Sequence, residues 1–136
     1  RKEYHGLLNH FFDMQDDIYK AEGYHPDTEP YCDNMWANVN YKYSHNKNHV
    51  HPGAQWSGVY YIKVPKNSGQ PIEGRLIMFP GWLTHEVAQN MCNLKGESGW
   101  RVSVSFNFKQ RWKQGKKSSI GKGHDNGGII DRNGLK

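Results

Sequence analysis

Three histidines in this sequence have the spacing of metal ligands. His49 and His51 are two residues apart, and His85 follows much later in the chain. In an extended strand, residues i and i+2 project from the same face, so both imidazoles can point at one atom. A close pair of ligands with a distant third is typical of mononuclear sites that keep open coordination positions. We therefore expect His49, His51 and His85 to hold one metal ion, and Fe(II) is the favoured ion.

A His-x-His pair alone is weak evidence of a metal site, because histidine is more often a bystander than a ligand. The alternative interpretation is a polar turn at His49 and His51 and a half-buried structural role for His85. The neighbouring sequence favours ligation, since a β-prone run follows the pair and a turn at Pro80 precedes His85. His45, by contrast, is expected in a solvated loop.

Hydrophobic periodicity predicts one helix followed by several strands. Apolar residues three and four apart indicate an amphipathic helix over residues 4–22, with Gly23 as its end. Two prolines favour a loop over residues 24–34. Alternating or continuous apolar runs predict strands at 35–43, 56–64, 75–79, 85–88 and 100–108.

The last of these predicted strands has the most regular pattern. Its apolar residues alternate with a polar set, Arg101, Ser103, Ser105 and Asn107. In an ordinary sandwich this polar face would meet water, whereas in a sheet rolled around a ligand it can point inward. The pattern alone leaves both possibilities open.

The composition fits one domain of a cytoplasmic protein. A chain of 136 residues suits a single core, which we place in residues 1–108. The positive residues concentrate in 109–136, which is expected to be a poorly packed, basic, glycine-rich tail. Cys32 and Cys92 are too few for a disulfide framework and are interpreted as reduced thiols. No apolar run approaches the roughly 20 residues that span a bilayer, and no signal-peptide pattern opens the sequence.

Three stretches carry motifs in a meaningful order. They are His49-Val-His51-Pro with Ser57-Gly-Val-Tyr-Tyr-Ile62, then Gly74-Arg-Leu-Ile-Met-Phe-Pro80-Gly-Trp-Leu-Thr-His85, and last Arg101-Val-Ser103-Val-Ser-Phe-Asn107. Together they resemble the 2-oxoglutarate/Fe(II) oxygenase family found in phages and marine bacteria and, more distantly, the prolyl hydroxylases. The resemblance covers roughly residues 35–108. It implies an all-β core behind the N-terminal helix, folded as a double-stranded β-helix (a cupin-like jelly roll), and a cytoplasmic enzyme, in the host cytoplasm if the chain is phage-encoded.

The resemblance also assigns the metal ligands. Members of this superfamily hold Fe(II) with a His-x-Asp/Glu pair and a distal histidine, which makes His49 the proximal ligand and His85 the distal one. His51 stands where most of the superfamily has the carboxylate. The substitution leaves either a three-histidine site or a two-histidine site with water in the third place. A third neutral imidazole would leave the ion more electrophilic, because it offsets none of the charge.

The cosubstrates implied by the resemblance are 2-oxoglutarate and O2. The far carboxylate of 2-oxoglutarate needs a cation, and Arg101 with Ser103 resembles the Arg-x-Ser element of the superfamily. Tyr61 matches the strand tyrosine that helps to hold the same carboxylate. The alternatives are a surface arginine and a core aromatic residue. The implied reaction is hydroxylation of an unidentified substrate, and a peptide side chain such as proline is reasonable by analogy.

Two other functions stay open at this point. A cupin-type metalloprotein without 2-oxoglutarate would use the same histidines, with Gln55 where cupins usually have Glu, and would not require Arg101 or Ser103. A nucleic-acid-binding module would use the basic tail and Trp112. This second alternative is the weaker one, because the tail lacks a recognised nucleic-acid fold and short basic tails are usually just solvated. We therefore do not expect a nucleic-acid partner.

Overall fold

The computed structural model describes residues 2–66, 68, 71–115, 130–131 and 134–135. These residues form one α-helix, α1 (Lys2–Glu22), and a 3-10 helix at Gly96–Gly99. They also form eight strands: β1 (Thr28–Asn40), β2 (Asn46–His49), β3 (Trp56–Lys63), β4 (Leu76–Pro80), β5 (His85–Val87), β6 (Arg101–Trp112), β7 (Ile130–Asp131) and β8 (Gly134–Leu135). The described part of the chain is therefore mostly β-sheet behind one N-terminal α-helix. The strands are compatible with a β-sandwich.

The chain divides into two compact units, and the boundaries fall within β1 and β6. One unit comprises Arg1–Asn34 with Phe108–Lys136, and the other comprises Met35–Asn107. In the first unit α1 buries one face. Four side chains of this face are at most 5% exposed: Leu8, Phe11, Phe12 and Gln15. Phe12 meets Phe108 edge to face, with ring centroids 5.0 Å apart. The helix ends at Gly23, whose φ of 68° lies in the left-handed region. The predicted helix is confirmed.

The predicted loop over residues 24–34 is wrong from Thr28 onward, because β1 already begins there. Side chains of β6 bind this first part of β1: Arg111 Nε lies 2.8 Å from Glu29 Oε1, and Lys109 Nζ lies 2.9 Å from Asp33 Oδ2. Pairing with a distant strand thus outweighs the local turn preference of a proline-containing segment.

The strand β6 is longer than the predicted 100–108 and runs on to Trp112. Lys109 and Arg111, which the sequence assigned to a loose basic tail, therefore belong to a paired strand. Residues 116–129, which hold most of that tail, lie outside the described residues. The division of the chain at residue 108 stays a prediction.

The second unit contains the segments that carry the three histidines. Its part of the larger sheet has the strand order β4-β3-β6-β1, and β2 pairs with β5 in a separate two-stranded sheet. β3 and β4 are antiparallel, with Trp56 opposite Pro80 and Tyr60 opposite Leu76. Where β3 neighbours β6, a Cβ on Gly58 would lie 2.2 Å from Phe106 Cζ, so only glycine allows this close packing. These two sheets are the scaffold on which the candidate site is built.

Candidate metal centre

His49 and His85 meet across the two-stranded sheet. His49 is the last residue of β2 and His85 the first of β5, and their Cα atoms are direct partners in the antiparallel ladder. Their ring centroids lie 4.3 Å apart. Strand pairing thus brings together two residues that are distant in sequence and places their side chains side by side.

His51 reaches the same place from outside the strand. The sequence predicted His49 and His51 on one extended strand, but β2 ends at His49 and His51 lies in the following loop. The His51 N–H donates to the Gly81 carbonyl at 2.9 Å, and the Gly81 N–H donates to the Gln55 carbonyl at 3.0 Å. These two hydrogen bonds fasten the loop after β2 to the loop before β5. His51 Nε2 consequently lies 3.1 Å from His85 Nε2.

The ring orientations of His49 and His85 suit metal ligation. His49 Nδ1 lies 2.6 Å from the Lys47 carbonyl oxygen, and His85 Nδ1 lies 2.9 Å from the Leu83 carbonyl oxygen. A carbonyl only accepts, so each Nδ1 carries the proton and each Nε2 keeps its lone pair. Hydrogen bonds of this kind fix the tautomer and the orientation of metal-binding histidines.

The three side chains fit a single transition-metal ion. One ligand nitrogen from each of His49, His51 and His85 lies within 4.8 Å of the others, and all three residues are half-buried. Nitrogens about 2.1 Å from one ion would lie roughly 3 Å apart at a right angle. The 3.1 Å between His51 and His85 matches that spacing. Burial lowers the pKa of His51, and His85 and His49 lower it further, so the neutral form that binds metal is favoured.

Arg101 is a buried guanidinium with unused donors. It is 1% exposed, and its Nη2 donates to the Ala88 carbonyl at 3.0 Å. Its Nε and Nη1 have no hydrogen-bond partner among the described residues. Burial lowers the pKa of Arg101, whereas Tyr61 acts in the opposite direction. Buried polar groups in proteins are nearly always satisfied, so two unused donors on a cation indicate a place for an anionic ligand.

Most of the polar face of β6 is buried. Ser103 is 4% exposed and Asn107 is 6% exposed, and Asn107 Oδ1 accepts a hydrogen bond from Ser57 Oγ at 2.6 Å. Tyr61 is also buried, and burial raises its pKa while Arg101 lowers it. The structure thus decides the question that the alternating pattern left open. It places Arg101, Ser103 and Tyr61 in the interior rather than on the surface.

Arg101 is tied to the strand segment that carries His85. Its acceptor, Ala88, lies three residues beyond His85. Three residues of extended chain span at most roughly 10 Å. The hydrogen bond therefore holds the guanidinium next to the segment that begins with His85.

Two positions that hold loops of the second unit in place had no signal in the sequence. Asn90 is fully buried, and its side chain donates to the Asn40 and Gly99 carbonyls at 3.0 and 2.8 Å. Gly81 is needed because a Cβ there would lie 2.2 Å from the Ala54 carbonyl oxygen. Both look like ordinary loop residues in the sequence, since their importance comes from atoms far away in the chain.

Comparison with known proteins agrees with this geometry. Residues 34–72 match a family model described as "Putative 2OG-Fe(II) oxygenase". The match includes His49, His51 and Tyr61, covers less than half of the chain, and supports the general 2-oxoglutarate/Fe(II) oxygenase family. None of the curated proteins compared with the chain matches it. Within the described residues, no helix is long and apolar enough to cross a membrane.

Proposed function

We propose that this protein is an Fe(II)- and 2-oxoglutarate-dependent dioxygenase that hydroxylates a substrate C–H bond. The observation that carries the proposal is the combination of a converging histidine triad with a buried arginine whose Nε and Nη1 have no partner among the described residues. A metal site alone would fit many activities. A buried cation near the same strand fits a cosubstrate that is both a metal chelator and a dicarboxylate.

In this proposal His49, His51 and His85 hold Fe(II), and the ion supplies the chemistry of oxygen activation when bound. The protein orients the ligands. The Lys47 and Leu83 carbonyls keep two imidazoles in the correct tautomer, and the bonds at Gly81 hold His51 against them. A jelly-roll fold, in which the two sheets of the second unit enclose the ion, is part of the proposal.

The far carboxylate of 2-oxoglutarate is assigned to Arg101. Nη1 offers this carboxylate a charge-assisted donor, and Nε is a second donor on another edge of the planar guanidinium. The hydroxyls of Ser103 and Tyr61, both buried on the interior side, are proposed as additional donors. An ion pair formed there would relieve the cost of burying Arg101 without a counter-ion.

The substrate is proposed by analogy to be a peptide side chain such as proline, and O2 the second cosubstrate. We place the reaction in the cytoplasm, as the free thiols Cys32 and Cys92 suggest.

The test is an anaerobic titration of the Fe(II) protein with 2-oxoglutarate, followed through the weak visible metal-to-ligand band. The wild-type protein should develop the band with a saturable dependence on 2-oxoglutarate. Arg101→Gln should raise the 2-oxoglutarate dissociation constant by about 100-fold, because it removes a charge-assisted contact worth roughly 2–3 kcal/mol. Arg101→Lys should lose less, since it keeps the charge.

Fe(II) binding and circular dichroism should be unchanged in both variants, which separates loss of the anchor from loss of the fold. Absence of the band in the wild-type protein would remove 2-oxoglutarate from the proposal. An unchanged dissociation constant in Arg101→Gln would remove Arg101 as its anchor.

A cupin-type metalloprotein that does not use 2-oxoglutarate is the second candidate. The all-imidazole ligand set is the observation in its favour, because such a site needs no chelating cosubstrate. The same titration distinguishes the two functions, since the cupin would bind Fe(II) without developing the band.

A further inference from the structure

The sequence neighbours of the metal ligands form an open cleft that is separate from the candidate metal centre. Its walls are residues 45–48, which precede His49, and residues 86–89, which follow His85, and none of the three histidines of the centre lines it. The cleft has a volume of about 390 Å³. Clefts that bind small molecules measure roughly 300–1,000 Å³, so this one is large enough for a small ligand.

A β-bulge sets two opposite charges across this cleft. The register of the β2–β5 ladder shifts between Asn46 and His49, so β2 has one more residue than β5 over this stretch. Lys47 and Asn48 therefore stand together opposite Glu86. Bulges of this kind redirect side chains and are frequent beside functional sites.

Lys47 and Glu86 do not neutralise each other. Both line the cleft and both are exposed, yet within the described part of the chain neither side chain forms an ion pair or a hydrogen bond. The cleft therefore offers a cation and an anion to the same ligand.

Three of the other lining residues carry carboxamides. Asn46, Asn48 and Gln89 each offer hydrogen-bond donors and an acceptor, and no side-chain hydrogen bond to a described residue occupies them. No Trp, Tyr or Phe side chain lines the cleft. The lining therefore suits a polar, hydrogen-bonding molecule rather than one that is held by stacking on a large aromatic ring.

The pair of charges selects the charge type of this ligand. A purely anionic molecule is attracted by Lys47 and repelled by Glu86, and a purely cationic molecule meets the reverse. Only a zwitterion gains from both charges at once. We propose that the cleft binds a small zwitterion of the α-amino acid class, with its carboxylate toward Lys47, its ammonium group toward Glu86 and a polar side chain among the carboxamides. This site goes beyond the proposed function and requires neither the metal nor 2-oxoglutarate.

The experiment titrates metal-free, isotope-labelled protein with L-glutamine in the presence of EDTA and follows the backbone amide NMR signals of residues 45–48 and 86–89. These signals should shift saturably, with a dissociation constant in the millimolar range, because contacts to exposed charges are individually weak. N-acetyl-L-glutamine lacks the ammonium charge and L-glutaminamide lacks the carboxylate charge. Each should bind at least about fivefold more weakly than L-glutamine.

Charge reversal on the two walls of the cleft gives the decisive comparison. Lys47→Glu and Glu86→Lys each place two like charges on the cleft and should weaken L-glutamine binding by about fivefold or more. The double variant again has one charge of each sign, so its dissociation constant should return to within about threefold of wild type, with the ligand reversed. Lys95→Glu is the matched control. Lys95 is exposed and lies outside the cleft, so binding should be unchanged.

The absence of saturable shifts in residues 45–48 and 86–89 of the wild-type protein would overturn the inference. Equal affinity of wild type and both single charge reversals for L-glutamine would also overturn it. If a charge-reversed variant does not fold, Lys47→Gln or Glu86→Gln replaces it and should weaken binding by about threefold. None of these results bears on the proposed function, because the titration contains no metal, and that function stands or falls on the Fe(II) titration.

Discussion

At the scale of single residues, the three histidines and Arg101 differ in how much of their surroundings the sequence could predict. The three histidines were predicted to converge from their spacing, and their ligand nitrogens do lie within 4.8 Å of one another. Alternation placed Arg101 on a polar face and the resemblance implied an interior anion-binding role for it, but the pattern alone left a surface position open and could not predict that Nε and Nη1 have no partner among the described residues. Burial depends on which atoms cover a side chain, and those atoms come from distant parts of the sequence.

Cys32 provides a residue-scale prediction on thiol ionisation. Burial, with a smaller effect of Asp33, raises the pKa of this thiol from an ordinary value of 9.0 to about 12. In a Cys92→Ala background, the native protein should therefore fail to react with a disulfide reagent between pH 7 and 9, whereas the unfolded protein should react at once. Fast reaction of the native protein at pH 8 would contradict the assignment.

The same shift has a consequence for stability. The folded state favours the protonated thiol, so this contribution is fully present below about pH 9. Above that pH the thiol of the unfolded chain ionises while the folded one does not, and the free energy of unfolding falls as the pH rises towards 12. Denaturant titrations at pH 8 and pH 10 should show a smaller decrease for Cys32→Ala than for wild type. An equal decrease in both proteins would contradict this.

At the scale of secondary-structure elements, the site depends on two loops held together by backbone hydrogen bonds. His51 and Gln55 lie in the first loop and Gly81 in the second, and the bonds between them measure 2.9 and 3.0 Å. Strand pairing brings His49 to His85, but these loop contacts bring the third imidazole. The sequence predicted the turn at Pro80 without indicating what it would touch.

Gly81→Ala tests this arrangement. The new Cβ would lie 2.2 Å from the Ala54 carbonyl oxygen, so one loop must move away from the other. We expect the free energy of unfolding to fall by about 1–3 kcal/mol. Because His51 would lose its position, metal affinity should also fall by about tenfold or more, measured by calorimetry with Co(II).

Gly6→Ala is the control for Gly81→Ala. Gly6 lies in α1 with nothing within 4 Å of its missing Cβ, so this variant should be up to about 1 kcal/mol more stable and bind Co(II) normally. If Gly81→Ala binds Co(II) as tightly as Gly6→Ala does, the loops do not position His51.

At the scale of the whole molecule, metal binding should be coupled to stability. His85 is distant in sequence from His49 and His51, so an unfolded chain cannot hold the ion with all three ligands as the folded one does. At an Fe(II) concentration of about 100 times its dissociation constant, the gain is about 2.7 kcal/mol. For a chain of this length the midpoint of thermal unfolding should rise by roughly 5–15 °C.

Anaerobic thermal melts with and without Fe(II) measure this shift. His49→Ala and His85→Ala should melt at the same temperature in both conditions, whereas His45→Ala should respond as the wild type does. A shift that persists in His85→Ala would mean that the ion binds elsewhere.

The sequence by itself determined the N-terminal helix, the mostly β character of the chain and the residues able to ligate a metal. These features follow from periodicity and residue type, which are local properties. Only the tertiary structure decided that residues 28–34 form a strand, that most of the polar face of β6 is buried, and that Arg101 is buried without a partner for Nε and Nη1 among the described residues. Each of these depends on contacts between distant segments, whose energies outweigh local preference.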